Sequence, residues 1–156
     1  MARIEVGDRA PDFELRGTGG RTVRLADFQG RWLILAFYPG DFTPVCTRQF
    51  CSYRDAADRL DELDAEVIGV SPQTLDSHER FRAKYGLTVS LLADPERNMI
   101  RAYGVLGPGG IVRRSVFIVD PEGIVRYRHV ALLGLRYQDV DDLKRSLRRA
   151  QAEALN

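Results

Sequence analysis

One short segment, Phe37-Tyr38-Pro39-Gly40-Asp41-Phe42-Thr43-Pro44-Val45-Cys46-Thr47-Arg48-Gln49-Phe50-Cys51, holds both cysteines of the chain. Cysteine is the side chain whose anion serves as nucleophile, redox centre or metal ligand, so this segment is where chemistry is expected. Pro39, Gly40 and Pro44 punctuate a loop between an apolar run and a helical pattern, which puts Cys46 in the first helical turn. Unpaired N–H groups and the positive end of the helix dipole favour an anion there. The required stabilisation has a size: taking a thiol from pKa ~8.5 to ~6 raises its thiolate fraction at pH 7 from ~3% to ~90% and needs about 3.4 kcal/mol. A helix start typically supplies ~0.3–1 kcal/mol, and ~2 in favourable, partly buried cases. A nearby cation is therefore required.

Thiolate fraction alone does not make a fast nucleophile. With a Brønsted slope of roughly 0.4–0.5, borrowed from thiol–disulfide exchange, a ~2.5-unit drop loses on the order of tenfold in intrinsic reactivity against a ~30-fold gain in thiolate. The net gain is about threefold, so most of any large rate must come from aligning the substrate and stabilising the charge on its leaving atom.

The elements that must position this segment follow from the hydrophobic pattern. Ile34 to Phe37, Val67 to Val70 and Val116 to Val119 are continuous apolar runs suited to strands buried on both faces. Between and after them, helical stretches are predicted over 46–63, 75–85, 96–103 and 139–150, the last with Val140, Leu143 and Leu147 on one face. Val116 to Val119, Asp120-Pro121-Glu122-Gly123 and Ile124 to Val130 read as a hairpin, which adds antiparallel pairing to a parallel strand–helix alternation. The expected architecture is α/β, a mixed central sheet flanked by helices.

Composition bounds the function. The 156 residues, 44% hydrophobic and 29% charged, fit one domain over 1–156 with a single substantial core. A net charge of +1 lacks the excess that a nucleic-acid or membrane-surface binder carries. Met1-Ala2-Arg3-Ile4-Glu5 is polar, without the apolar core of a secretory signal, and no apolar run is long enough to span a bilayer, so a cytoplasmic protein is expected. In a reducing compartment the two cysteines then read as catalytic, redox or metal-binding before structural.

The spacing Pro39-x-x-x-Thr43-x-x-Cys46 resembles the active-site signature of the peroxiredoxins (the AhpC/TSA superfamily). Leu91-Leu92-Ala93-Asp94, Tyr103-Gly104-Val105 and Arg114-Ser115-Val116-Phe117-Ile118-Val119-Asp120 resemble later landmarks of that family, so the likeness spans roughly 5–150. Cys46-Thr47-x-Gln49-x-Cys51 is similar to the bacterioferritin-comigratory, or Q-type, branch. The resemblance implies a thioredoxin-like fold with an N-terminal β extension. It implies peroxidatic Cys46, resolving Cys51, and a site completed by Pro39, Thr43 and Arg114, with Gln49 supporting the arginine. It further implies hydrogen peroxide or organic hydroperoxides as substrate and thioredoxin or a similar dithiol as reductant, with no metal, flavin or haem. Val45 departs from the glycine common in Q-type members, which bears on loop flexibility and crowding at the pocket.

Residue chemistry fits these implied roles. Thr43 can donate and accept, Arg114 donates from a planar fork, and backbone N–H groups around Val45 and Cys46 add donors. Pro39 can shield the pocket. On an ideal helix Cys46 and Cys51 would lie about 8–9 Å apart at Cα, beyond the ~4.4–6.8 Å that a disulfide usually spans, so the implied pairing requires the first turns of the helix to unwind. With no C-terminal resolving cysteine, a monomer or weak homodimer is expected.

Ordinary readings stand beside these. Cys46 and Cys51 could be small core residues, Arg114 a solvated edge charge like Arg113, Thr43 a helix cap, and Gln49 a surface amide. Alternation with the apolar strand residues and the family register favour Arg114 over Arg113 as the inward arginine. His78 and His129 are far apart in sequence and suggest no metal site. A one-cysteine peroxidase, a thioredoxin-like dithiol–disulfide oxidoreductase and an inactive binding module remain as alternatives. The oxidoreductase is disfavoured because Cys-x4-Cys replaces Cys-x-x-Cys and Arg114-Ser115 stands where an Ile-Pro pair would be expected.

Overall fold

A computed structural model describes residues 4–131 and 136–155. Seven strands form one mixed sheet: β1 (Glu14–Gly17), β2 (Arg21–Arg24), β3 (Leu33–Phe37), β4 (Glu66–Ser71), β5 (Ser90–Ala93), β6 (Ser115–Val119) and β7 (Val125–Val130), in the order β2-β1-β5-β4-β3-β6-β7. β3, β4 and β5 are parallel neighbours, while β6 runs antiparallel to β3 and β7 to β6. The β1–β2 hairpin extends the far edge through antiparallel pairing of β1 with β5.

The apolar run in β3 is central because both of its faces are covered. Its five residues are wholly buried. Leu33, Leu35 and Phe37 face one core with Ile68, Ile100 and Phe117, and Ile34 and Tyr38 face the other with Phe50, Phe81, Leu143 and Leu147. The second core carries the helices that matter for the site: α1 (Pro44–Asp55), α3 (Leu75–Tyr85) and α5 (Val140–Ala154). Two shorter helices are α2 (Ala57–Asp61) and α4 (Asn98–Ala102).

Several boundaries differ from the periodicity. The single helix expected over 46–63 begins at Pro44 and breaks at Ala56, whose backbone (φ −106°, ψ 25°) leaves the helical basin before α2. The break turns Leu60 and Leu63 back onto the sheet. The helix expected over 96–103 starts only at Asn98, because Arg97 takes a left-handed conformation at φ 62°. α5 runs beyond Ala150 to Ala154 and starts from a capping box in which Asp139 and Asp142 accept each other's backbone N–H. β5, which the apolar pattern does not single out, has one neighbour of each kind: it pairs parallel to β4 and antiparallel to β1.

Gly69 sets how closely α1 can approach the sheet. A Cβ there would lie 2.8 Å from Phe50 Cζ and 2.9 Å from Leu91 Cδ2. Gly69→Ala is therefore expected to cost about 1–3 kcal/mol through overpacking, read as a lower urea midpoint with an unchanged m-value.

Candidate active site

Strand register brings the site together. Phe37 pairs with Ser115, so Arg114 enters β6 at the level where β3 leaves the sheet. The chain then turns through 39–43 and re-enters as α1, which places Cys46 over the carboxyl end of β3, the usual position for a site in an open α/β sheet.

Pro44 occupies the first helical position, where its missing N–H costs nothing, and the first intrahelical bond runs from Thr47 N to Thr43 O at 2.8 Å. The amides of Val45 and Cys46 thus have no acceptor within the helix and point out of its positive end. Cys46 is wholly buried, and both cysteines carry free thiols.

Arg114 is only 4% exposed, and both of its Nη atoms are engaged. Nη2 donates to Cys46 Sγ at 3.1 Å, and Nη1 donates to Gln49 Oε1. Gln49, one turn along α1 and also buried, donates from Nε2 to Tyr53 Oη at 3.1 Å. Tyr53 in turn donates to the Gln138 carbonyl at 2.6 Å, and burial raises its pKa, so it remains a protonated donor. One fork therefore orients Sγ and ties it to a buried polar chain. Arg113 goes elsewhere, packing its side chain beside Gly107.

The other expected site residues fall around this pair. Pro39 is half-buried at the exit of β3. Thr43 stands at the N-cap with an extended backbone, but it does not cap: its hydroxyl donates to the Gly40 carbonyl at 3.1 Å. With its hydrogen so committed, the oxygen offers lone pairs, so Thr43 is arranged to accept and not, as expected, to do both. Val45 is half-buried in the first turn of α1. Cys51 is half-buried and packs against the helix-bearing core, on the same continuous helix as Cys46.

Sequence reasoning assigned His78 no role and did not single out Asp41. The structure joins them. His78 Nδ1 lies 2.7 Å from Asp41 Oδ2, and both side chains are wholly buried. No spacing rule connects residues 37 apart on a loop and a helix, so only the fold could reveal the pair.

A cavity of 660 Å³ between Trp32, Leu63, Glu66 and Pro121 lies at the opposite end of the sheet from Cys46. A smaller one of 260 Å³ reaches Arg114 and Gln49 alongside His129 and Tyr137. No helix among the described residues is long and apolar enough to cross a membrane.

Residues 6–128 match the AhpC/TSA family. The chain is 42% identical over 127 residues to peroxiredoxin Bcp of Bacillus subtilis, covering 77% of this chain and 81% of that protein. It is 38% identical to the chloroplastic peroxiredoxin Q of Oryza sativa subsp. japonica, across 80% of this chain and 58% of the plant protein. Among solved structures, Enterococcus faecalis AhpC superposes with a TM-score of 0.84 at 30% identity, over 97% of this chain and 95% of that one.

Proposed function

Because the chain belongs to the AhpC/TSA family, in the Bcp and Q branch of the peroxiredoxins, and is a thiol-dependent peroxidase, we propose that Cys46 is its peroxidatic cysteine and Cys51 the resolving one. The observation that carries the first assignment is the buried Arg114 guanidinium donating to a sulfur in the first turn of α1.

The Cys46 thiolate attacks one oxygen of hydrogen peroxide or an organic hydroperoxide. An S–O bond forms, the O–O bond breaks, and the electron pair leaves on the second oxygen, which takes up a proton to become water or an alcohol. Arg114 and the Val45 and Cys46 amides supply donors where that charge develops, and the Thr43 oxygen accepts the peroxide hydrogen and fixes its orientation. Pro39 walls the loop side of the pocket and limits water.

The Cys51 thiol then condenses with the Cys46 sulfenic acid, releasing water and forming an intramolecular disulfide. Both cysteines lie on α1, so the first turns of that helix must unwind for closure. A thioredoxin-type dithiol reduces the disulfide back to two thiols and becomes a disulfide itself.

In Cys51→Ser the first oxidation of Cys46 is expected to stay within about twofold of wild type. Turnover with a dithiol donor is expected to fall on the order of tenfold or more, with sulfinic acid accumulating at Cys46 by mass spectrometry. The packing of Cys51 in the core favours a second reading, a one-cysteine cycle, which would instead leave turnover in Cys51→Ser unchanged.

A further inference from the structure

The loop that delivers Thr43 and Cys46 is mounted on α3, a helix that bears none of the peroxidase residues named above. Asp41 is buried, and three side chains converge on its carboxylate. The Tyr38 hydroxyl donates to Oδ1 at 2.8 Å, the Ser77 hydroxyl donates to Oδ2 at 2.7 Å, and His78 Nδ1 meets Oδ2 at 2.7 Å. Burial raises the Tyr38 pKa well above its ordinary value, with the Asp41 charge next, so Tyr38 is a fixed donor.

His78 is held from both sides. Its Nε2 lies 3.0 Å from the Leu92 carbonyl, which can only accept, so Nε2 carries a proton. Nδ1 is left facing the Asp41 carboxylate across the 2.7 Å contact. The pair thereby spans from β5 through α3 to the loop, with Tyr38 tying it to the end of β3.

A second anchor sits one residue on. Phe42 adopts φ 64°, a left-handed backbone that an L-residue with a bulky side chain holds only when its surroundings dictate it. Phe42 is 43% exposed, and its ring lies 5.2 Å from Phe81 and 6.3 Å from Tyr85, with Lys84 Nζ 5.7 Å from its centroid, all on α3. Thr43 follows directly and closes the loop through Gly40.

We propose that Asp41, clamped by His78, Ser77 and Tyr38 and backed by the Phe42 anchor, is the positioning residue that aligns Thr43 and the start of α1 for peroxide attack. The inference rests on the peroxidase reading. It divides the labour between two helices. α1 has to unwind for a Cys46–Cys51 disulfide, whereas the loop is fixed to α3 and stays in register, so the peroxide site re-forms when α1 rewinds.

A positioning role predicts a selective defect. Reaction with peroxide needs the thiolate and an aligned substrate, whereas alkylation by iodoacetamide needs the thiolate and access alone. Both rates can be read at Cys46 by mass spectrometry in wild type, Asp41→Ala, Asp41→Asn and Phe42→Gly. In Asp41→Ala the neutral His78 can still accept from Tyr38, 3.3 Å away, while the loop loses its tie to α3. Oxidation by hydrogen peroxide is expected to slow on the order of 30-fold, with alkylation changed less than about threefold. Asparagine can accept from Tyr38 and donate to a neutral His78, so Asp41→Asn is expected to recover most of that loss.

The proposal is overturned if Asp41→Ala oxidises within about threefold of wild type, if both rates fall together, or if Asp41→Asn is as slow as Asp41→Ala. Phe42→Gly keeps a residue that accepts positive φ and removes a partly exposed ring, so it decides the matter should the buried variants fail to fold. Peroxide oxidation about fivefold slower with unchanged alkylation supports the clamp, and unchanged oxidation overturns it. Failure of wild-type Cys46 to be oxidised would strike the peroxidase reading itself, which separates the two failures.

Discussion

Cys46→Ser is expected to lower peroxide consumption on the order of 10⁴-fold or more, to the background of the assay, while the protein keeps its fold. Oxygen is nearly the same shape as sulfur but holds its proton at neutral pH, so no anion is available to attack. Arg114 Nη2 retains an acceptor in the serine hydroxyl, and the Arg114–Gln49–Tyr53 chain has no reason to rearrange. The measurement is the second-order rate with hydrogen peroxide and with an alkyl hydroperoxide, paired with a urea unfolding curve. Substantial activity in the variant would remove Cys46 from its role. Loss of activity together with a collapsed unfolding transition would show that serine damages the core and not the chemistry.

Arg114→Met is expected to slow oxidation of Cys46 by about 10²–10³-fold, comparable to deleting a donor from an oxyanion hole. Two contributions disappear at once: the charge beside Sγ and a donor aimed at the departing oxygen. The thiolate argument alone gave a net benefit of about threefold, so a loss this large would place most of the arginine's effect on the transition state. A loss near threefold would place it on thiolate formation instead. Arg114→Lys is expected to fall between, because a point charge cannot reach Sγ and Gln49 together as the fork does.

Stability should move differently from rate in this series. A buried guanidinium carries a desolvation cost, and replacing it with an apolar chain of similar length is often neutral or stabilising. Gln49 Oε1 loses its donor, which costs about 1–3 kcal/mol unless the amide turns, so the two effects oppose one another. Activity falling a hundredfold with unfolding nearly unchanged is the pattern a functional arginine predicts. The Asp41 series complements it, since there peroxide reactivity is expected to fall while the thiolate remains.

Much of this site was legible locally. Cys46 at a helix start follows from Pro39, Gly40 and Pro44 and the apolar run before them, and that inference needs only neighbours in the chain. The requirement for a cation followed from magnitudes, and the family likeness pointed to Arg114. Alternation pointed the same way, and the β3–β6 register explains why: Ser115 opposite Phe37 leaves Arg114 at the mouth of the loop. The expected support of the arginine by Gln49 came from the family likeness, since the contact joins residues 65 apart in the chain. Thr43 shows where such reasoning stops. Its position at the N-cap was readable, but the direction of its hydroxyl depends on where the Gly40 carbonyl sits, and that is set by the loop's tertiary mount.

Cys46 thus owes its place in a first helical turn, its need for a positive partner and its distance from Cys51 to sequence alone, because each depends on residues a few positions apart under fixed helix geometry. The break at Ala56, the left-handed Phe42 and the joining of Asp41 to His78 were decided by tertiary structure. Those features come from packing α1 and α3 against one face of the sheet, where contacts between residues distant in sequence outweigh the weak local preferences that periodicity records.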